Sequence, residues 1–458
     1  MKEVSELFSK ILIANRGEIA LRIIRTCAKL NIQSVAVYSE ADAEAIYVRE
    51  ATEAYCIGKP QVNQSYLNAE EIIRVAKESG AEAVHPGYGL LSENAEFARK
   101  CVEQGLVFIG PSDEIIASMG SKIEARKTME EAGVPIIKGI NTSLANEEEA
   151  MAAAKKIGYP LMLKASAGGG GIGMQLVRSD DELLKAFAGN KKRAESFFGD
   201  GTMFLEKYIE EPHHIEVQII ADTHGNIVPL WERECSIQRR NQKVVEEAPS
   251  PFISEDTRTK MLDAAIKAAR HIGYFNAGTI EFLVDGEENF YFLEMNTRLQ
   301  VEHPVTEEIT GLDLVEEQLK IASGERLSFT REDVLRKGHA IEVRIYAEDP
   351  KTFFPSPGKI TAFELPKGDG IRHECSVEAG TQITPFYDPM IAKLITWGNT
   401  RSEACERMKR ALENYKIEGI KTNIPMLIKT VSHEQFLSGH TTTQFVNEYY
   451  LPQLTSNK

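Results

Sequence analysis

Cysteine is sparse in this chain: six in 458 residues, at positions 27, 56, 101, 235, 375 and 405, and no two share a C-x-x-C spacing. Neither a structural zinc site nor a disulfide framework is therefore indicated. Long apolar runs are missing too; nothing approaches the roughly 18 residues that a membrane helix needs. The start, Met1-Lys2-Glu3-Val4-Ser5-Glu6, carries no apolar leader, so the expectation is a cytoplasmic protein with no membrane association. Basic charge is in deficit, 53 Lys and Arg against 68 Asp and Glu, for a net charge of −15. Without a basic surface to neutralise phosphates, no nucleic-acid partner is expected. There is no G-x-x-x-x-G-K-[ST] loop and no H-R-D and D-F-G pair, which sets aside Walker A nucleotidases and protein kinases.

What is present is an ordinary globular composition, 42% apolar and 26% charged, in a chain long enough for roughly three domains. Short apolar runs at 11–14, 35–38, 83–85 and 107–109 alternate with helical stretches to Leu30, near 69–79 and near 93–104. That alternation predicts a parallel α/β sheet to about residue 115. Gly17 alone at the first turn is no dinucleotide fingerprint, so a Rossmann-like shape here need not bind a nucleotide. From about 120, helices are expected near 121–132, 147–157, 180–188 and 256–272. Strands are expected at 160–165, 174–177, 203–208, 215–220 and 227–231. Past 330 the chain reads as strand and turn, with a late helix near 402–414. The fold class is thus α/β followed by α+β, with expected domains at 1–115, 116–330 and 331–450.

Residues 281–303 are the most informative stretch. Two apolar, aromatic-rich runs flank Asp285-Gly286, the mark of a β-hairpin. Glu294 and Asn296, two apart on the second strand, share a face. With a loop at 286–289, Glu281 lies directly across from Glu294. Carboxylates opposed on strands repel, and a cation between them most readily keeps the pair. The oxygen set of Glu281, Glu294 and Asn296 suits Mg²⁺ or Mn²⁺, and Mg²⁺ commonly shares its shell with phosphates. A dense polar run, Asn296, Arg298, Gln300, Glu302 and His303, follows at once.

Gly168-Gly169-Gly170-Gly171-Ile172-Gly173 formally matches G-x-G-x-x-G, but Met174-Gln175-Leu176-Val177 after it reads as a strand. The loop therefore caps a hairpin instead of opening a helix. Lacking Cβ atoms, its N–H groups can close on phosphate oxygens, and Lys164 on the strand before it adds an ammonium.

Five segments occur in order: Ile13–Ala20 (IANRGEIA), His85–Gly89 (HPGYG), Lys164–Gly171 (KASAGGGG), Gln238–Pro249 (QRRNQKVVEEAP) and Glu294–Pro304 (EMNTRLQVEHP). Together they resemble the biotin carboxylases of the ATP-grasp superfamily, a likeness that spans nearly the whole chain. The resemblance implies a Rossmann-like N-terminal domain, an ATP-grasp fold with a mobile lid at about 135–205, and a strand-rich C-terminal domain. It implies a two-step reaction: ATP and bicarbonate form carboxyphosphate and ADP, and the carboxyl then passes to N1 of biotin. ATP and two Mg²⁺ or Mn²⁺ ions are the implied cofactors, with the metal on Glu281, Glu294 and Asn296.

By the same resemblance Glu302 is the base that deprotonates bicarbonate. Arg298, Lys243, Gln300 and the Val301 N–H hold that anion. Arg344 stabilises the enolate-like oxyanion of biotin, and Tyr88 lies near biotin. Lys122, Lys164, Gly170, Gly171, Glu206, Lys207, Ile209, His214, Asn241, Glu281 and Glu294 form the implied ATP site. Three positions depart from the family pattern: Ile172 and Gln175 stand where arginines are usual, and Asn241 where histidine is usual. Free-standing members are typically homodimers. The carriers' Ala-Met-Lys-Met motif is absent, the only Met-Lys pairs being Met1-Lys2 and Met408-Lys409, and the chain ends at Lys458. Biotin is thus expected on a separate biotin carboxyl carrier protein, which also serves carboxyltransferase subunits.

Overall fold

The computed structural model describes residues 7–140, 142–166 and 173–455. Five strands, β1 (Lys10–Ile13), β2 (Gln33–Tyr38), β3 (Glu53–Cys56), β4 (Ala83–His85) and β5 (Val107–Phe108), form a parallel sheet in the order β3-β2-β1-β4-β5. Helix Gly17–Lys29 packs on one face, and helices Ala69–Ser79 and Ala95–Glu103 on the other. Burial on both faces is why the inner strands read as continuous apolar runs. Asn68 and Asn94 cap the latter two helices by accepting from the N–H of Glu71 and Phe97.

A smaller unit follows. β6 (Leu161–Ala165), β7 (Gln175–Val177) and β8 (Met203–Lys207) make an antiparallel sheet in the order β7-β6-β8. Helices Glu147–Ile157 and Asp180–Phe198 cover it with a separate apolar core around Leu161, Leu163, Leu183 and Phe187. The second helix extends well past 188, the end expected from the sequence. Gly189-Asn190 looks like a stop signal, but Asn190 turns inward, donating to the Ala186 carbonyl at 2.9 Å and to Gln175 Oε1 at 2.8 Å. The actual stop is Gly199, left-handed at φ 71°.

The main body is an eight-stranded antiparallel sheet. It comprises β9 (His213–Ala221), β10 (Ile227–Arg239), β11 (Gln242–Ala248), β12 (Asn276–Val284), β13 (Phe290–Asn296), β14 (His339–Tyr346) and the strands Ile371–Cys375 and Met390–Gly398. The order is β13-β12-β9-β10-β11-β14, then 390–398, then 371–375. β14 pairs directly with β11, Ala340 opposite Ala248, so one sheet runs from the centre of the chain into its last third. The expectation of mostly strand and turn past 330 needs correction. Besides the expected helix, here Arg401–Glu413, there are helices at Ile424–Val431 and Glu434–Leu437 and helical turns over 446–455. Ile424-Pro-Met-Leu-Ile-Lys-Thr-Val431 is short and nearly all apolar, a pattern in which helix and buried strand look alike. Among the described residues no helix is long and apolar enough to cross a membrane.

Candidate active site

A cavity of about 760 Å³ opens where the three segments meet. Tyr88, Lys122, Lys164, Glu206, Lys207, Ile209, His214, Asn241, Lys243, Glu281, Glu294, Asn296, Arg298, Gln300, Val301, Glu302 and Arg344 all line it. Gly170 and Gly171, with Ile172, lie outside the described residues.

The hairpin places Glu281 opposite Glu294, as expected, but by another route. The loop is one residue longer than the sequence suggests, since Val284 pairs with Phe290; a bulge at Leu293 on β13 then restores the register. Glu281 is buried and engaged, accepting from Lys243 Nζ at 2.8 Å, Asn296 Nδ2 at 3.0 Å and Gln300 Nε2 at 3.1 Å, with His214 Nε2 2.9 Å away. Burial works against its charge, yet Lys243 and His214 hold it well below the usual carboxylate range. Glu294 makes no hydrogen bond or ion pair among the described residues, and burial together with Glu281 raises its pKa. A half-buried carboxylate facing another and lacking a partner is a donor set that fits a hard divalent cation. His214, Glu216 and Glu281 also come within metal-binding range of one another, but the Lys243 ammonium already lies 2.5 Å from Glu216 and 2.8 Å from Glu281. That second cluster is a lysine site.

Lys243 is the electrostatic centre of the cleft. It bonds Glu216, Glu281 and Glu302, the last at 2.6 Å, and these three carboxylates outweigh burial and keep its pKa well above normal. Glu302 also receives Arg344 Nη2 at 3.0 Å, while Arg344 Nε donates to the buried Glu246 at 2.7 Å. Burial opposes the Glu302 charge, but Lys243, Arg344 and Arg233 hold its pKa well below the usual range. Arg298 points its Nε at Glu93 Oε2, 2.8 Å away, and its Nη2 at Asn296 Oδ1, 3.0 Å away.

Across the cleft, Lys164 Nζ stands 2.5 Å from Glu206, which also pairs with Arg126. Lys122 is driven down by burial, partly offset by Glu294. Lys207 Nζ is committed to the carbonyls of Gly158 and Tyr159. His214 Nδ1 meets Gln238 Nε2 at 3.0 Å; burial lowers its pKa but Glu281 more than reverses this. Arg240 and Asn241 form the two-residue turn between β10 and β11, both with positive φ (52° and 62°). Asparagine adopts that conformation readily, which accounts for Asn241 at this position. Tyr88 is placed by Asn15, whose Nδ2 donates to the carbonyls of Pro86 (2.7 Å) and Tyr88 (2.9 Å). A Cβ on Gly87, at φ +62°, would come within 2.9 Å of that nitrogen.

Sequence reasoning missed Glu18 and Arg126, which also line the cleft, and Glu216, Arg233, Glu246, Glu93 and Lys393, which stand behind it. One signal was available. His214, Glu216 and Gln218 alternate with Ile215, Val217 and Ile219 along β9, which marks a polar face. Arg233, fully buried, donates to Glu216 at 2.6 Å.

Residues 7–116 match the family described as biotin carboxylase, N-terminal domain, residues 121–330 the carbamoyl-phosphate synthase L chain, ATP binding domain, and residues 342–448 the biotin carboxylase C-terminal domain. A biotin carboxylase of Halalkalibacterium halodurans is 66% identical over 443 residues, 97% of this chain and 98% of that one. Biotin carboxylase 2 of Bacillus subtilis is 63% identical over 97% of this chain and 100% of its own. The biotin carboxylase domain dimer of Hydrogenobacter thermophilus 2-oxoglutarate carboxylase, in complex with MgADP, ADP and bicarbonate, superposes with a TM-score of 0.95 at 50% identity, covering 98% of this chain and 99% of that one. A Campylobacter jejuni biotin carboxylase gives 0.96 at 46% identity, covering 98% and 100%. The cleft and the comparisons agree: this chain belongs to the biotin carboxylase family of ATP-grasp ligases.

Proposed function

We propose that the cleft performs the ATP-dependent carboxylation of biotin from bicarbonate with the following division of labour. The observation that carries it is Glu302, held between Lys243 at 2.6 Å and Arg344 at 3.0 Å beside the Glu281–Glu294 pair. Glu302 is ionised, and it accepts the bicarbonate proton once the anion takes over the bonds of Lys243 and Arg298. The bicarbonate oxygen then attacks the γ-phosphorus, the bond to the β–γ bridging oxygen breaks, and ADP leaves with carboxyphosphate formed. Arg298, with its planar fork, Lys243, Gln300 and the Val301 N–H orient bicarbonate for that attack. Lys122, Lys164, His214, Asn241 and the segment Glu206, Lys207 and Ile209 receive the nucleotide, with Gly170 and Gly171 of the glycine loop. Glu281, Glu294 and Asn296 would hold Mg²⁺ or Mn²⁺, whose charge neutralises phosphate oxygens. Arg344 then stabilises the oxyanion of biotin beside Tyr88 while N1 takes the carboxyl and phosphate departs with the N1 proton.

The division into 1–115, 116–330 and 331–450, with a lid at about 135–205 that shields carboxyphosphate from water, belongs to the same proposal. So does a homodimer, which the Hydrogenobacter neighbour forms; light scattering is expected to give about twice the 51.0 kDa chain mass. The biotin is expected on a carrier protein shared with carboxyltransferase subunits. The test is ADP release as a function of bicarbonate and biotin, with free biotin and a biotinylated carrier domain compared at equal concentration. Release that needs both substrates, with a higher kcat/KM for the carrier, is expected. Release indifferent to biotin would overturn the reading, and equal rates with free biotin would remove the carrier.

A further inference from the structure

Lys393, on the strand Met390–Gly398, is fully buried, and none of the chemistry above uses it. Its Nζ donates to the Val301 carbonyl at 2.6 Å and lies 3.3 Å from Glu18 Oε1. The same Glu18 oxygen accepts the hydroxyl of Tyr88, and the ammonium stands 5.9 Å from the centre of the Tyr88 ring. Glu18 is 6% exposed and sits in the first turn of helix Gly17–Lys29. A continuous polar path thus runs from Tyr88, on the biotin side, through Glu18 and Lys393, to the peptide joining Val301 to Glu302 on the bicarbonate side.

Burying a whole lysine side chain is costly unless each charge is matched. Here the match is made in three places by three separate parts of the chain. The carbonyl it holds carries no charge of its own, so that bond contributes chiefly position. It fixes the peptide from which the Glu302 side chain departs and the residue whose N–H is assigned to bicarbonate.

We propose that Lys393 and Glu18 are a positioning pair that couples occupancy of the biotin side to the geometry of the bicarbonate side. The inference rests on the function proposed above. Biotin that displaces the Tyr88 hydroxyl frees a Glu18 oxygen to draw Lys393 closer, and this alters the hold on Val301 and Glu302. By linkage, bicarbonate must then alter the affinity for biotin by the same factor.

The test uses the whole chain and measures the KM for bicarbonate and for ATP, each with and without saturating biotin. Wild type is expected to show a bicarbonate KM that changes with biotin. Lys393→Met is expected to raise the bicarbonate KM about tenfold, as for loss of a charged hydrogen bond, to leave the ATP KM within twofold, and to abolish the biotin effect. Lys393→Met/Glu18→Gln removes both charges of the pair, with the buried Glu342 and Glu374 left beside it and the net charge of the site unchanged, and so carries the test if the single variant folds poorly. A role limited to charge balance predicts that this double variant recovers wild-type behaviour, whereas positioning predicts that it stays defective for bicarbonate. A double variant with a wild-type bicarbonate KM and an intact biotin effect would overturn the coupling while the proposed function stands. A wild type that releases no ADP with bicarbonate and biotin would overturn that function itself.

Discussion

Lys243→Met keeps the length and apolar stem of the side chain and deletes only the ammonium. That ammonium stands 2.5, 2.8 and 2.6 Å from Glu216, Glu281 and Glu302. At an effective dielectric constant of about 20, each contact carries about 6 kcal/mol of gross attraction. Desolvation of all four groups and repulsion among the carboxylates offset most of it. What the substitution leaves is uncompensated buried charge, for which the net cost is about 3–5 kcal/mol. The pH dependence has a definite sign. The pKa of Lys243 is raised above 10.5, so its contribution is complete below that value and is lost as pH rises through the folded-state pKa. Those of Glu281 and Glu302 lie well below 4.5, so their share is present above 4.5 and is lost as pH falls through the folded-state values. The gap between wild type and variant is therefore a plateau across neutral pH that narrows in acid and in strong base. The two tryptophans, Trp231 and Trp397, lie on β10 and on the strand Met390–Gly398. Tryptophan fluorescence during a urea titration thus follows the sheet that holds the lysine. A loss under about 1 kcal/mol at pH 7, the value of an exposed pair, would refute the reasoning, as would a loss that persists undiminished in acid.

Glu294→Gln replaces an anionic metal ligand by a neutral one and is expected to abolish turnover; unchanged activity with an unchanged Mg²⁺ titration would count against the metal assignment. Burial holds His85 at a pKa of about 3, so below 6.5 the unfolded state binds the extra proton and stability falls by about 1.4 kcal/mol per pH unit toward pH 3. His85→Asn, whose amide oxygen can accept from the Gly87 N–H as Nδ1 does at 3.0 Å, should flatten that slope in acid denaturation curves. Hydrogen exchange with a nonhydrolysable ATP analogue is expected to protect β6 and β7 and the glycine loop between them; equal exchange with and without the analogue would argue against a lid that closes.

Much of this site is legible in the residues alone. Glu281 faces Glu294 because a hairpin's register and a strand's two-residue period are local properties, and the pairing survives a loop of different length only because the bulge at Leu293 compensates. The parallel sheet is legible because strands buried on both faces must be apolar throughout. Helix ends are read less well: Gly189-Asn190 resembles a stop until Gln175, on a neighbouring strand, supplies a partner for Asn190.

The sequence by itself determined the hairpin, the polar run after it, the family, and seventeen of the residues that line the cleft. Only the tertiary structure decided which charges meet. That Lys243 gathers Glu216, Glu281 and Glu302, that Arg298 leans on Glu93, and that Lys393 reaches from the last third of the chain to Glu18 and Val301 all depend on the order of strands in one sheet and on what packs across it. That order is set by the burial of apolar surface summed over the whole domain. It leaves no mark on the residues whose side chains it brings together, so their charges read in sequence as solvated until the sheet closes over them.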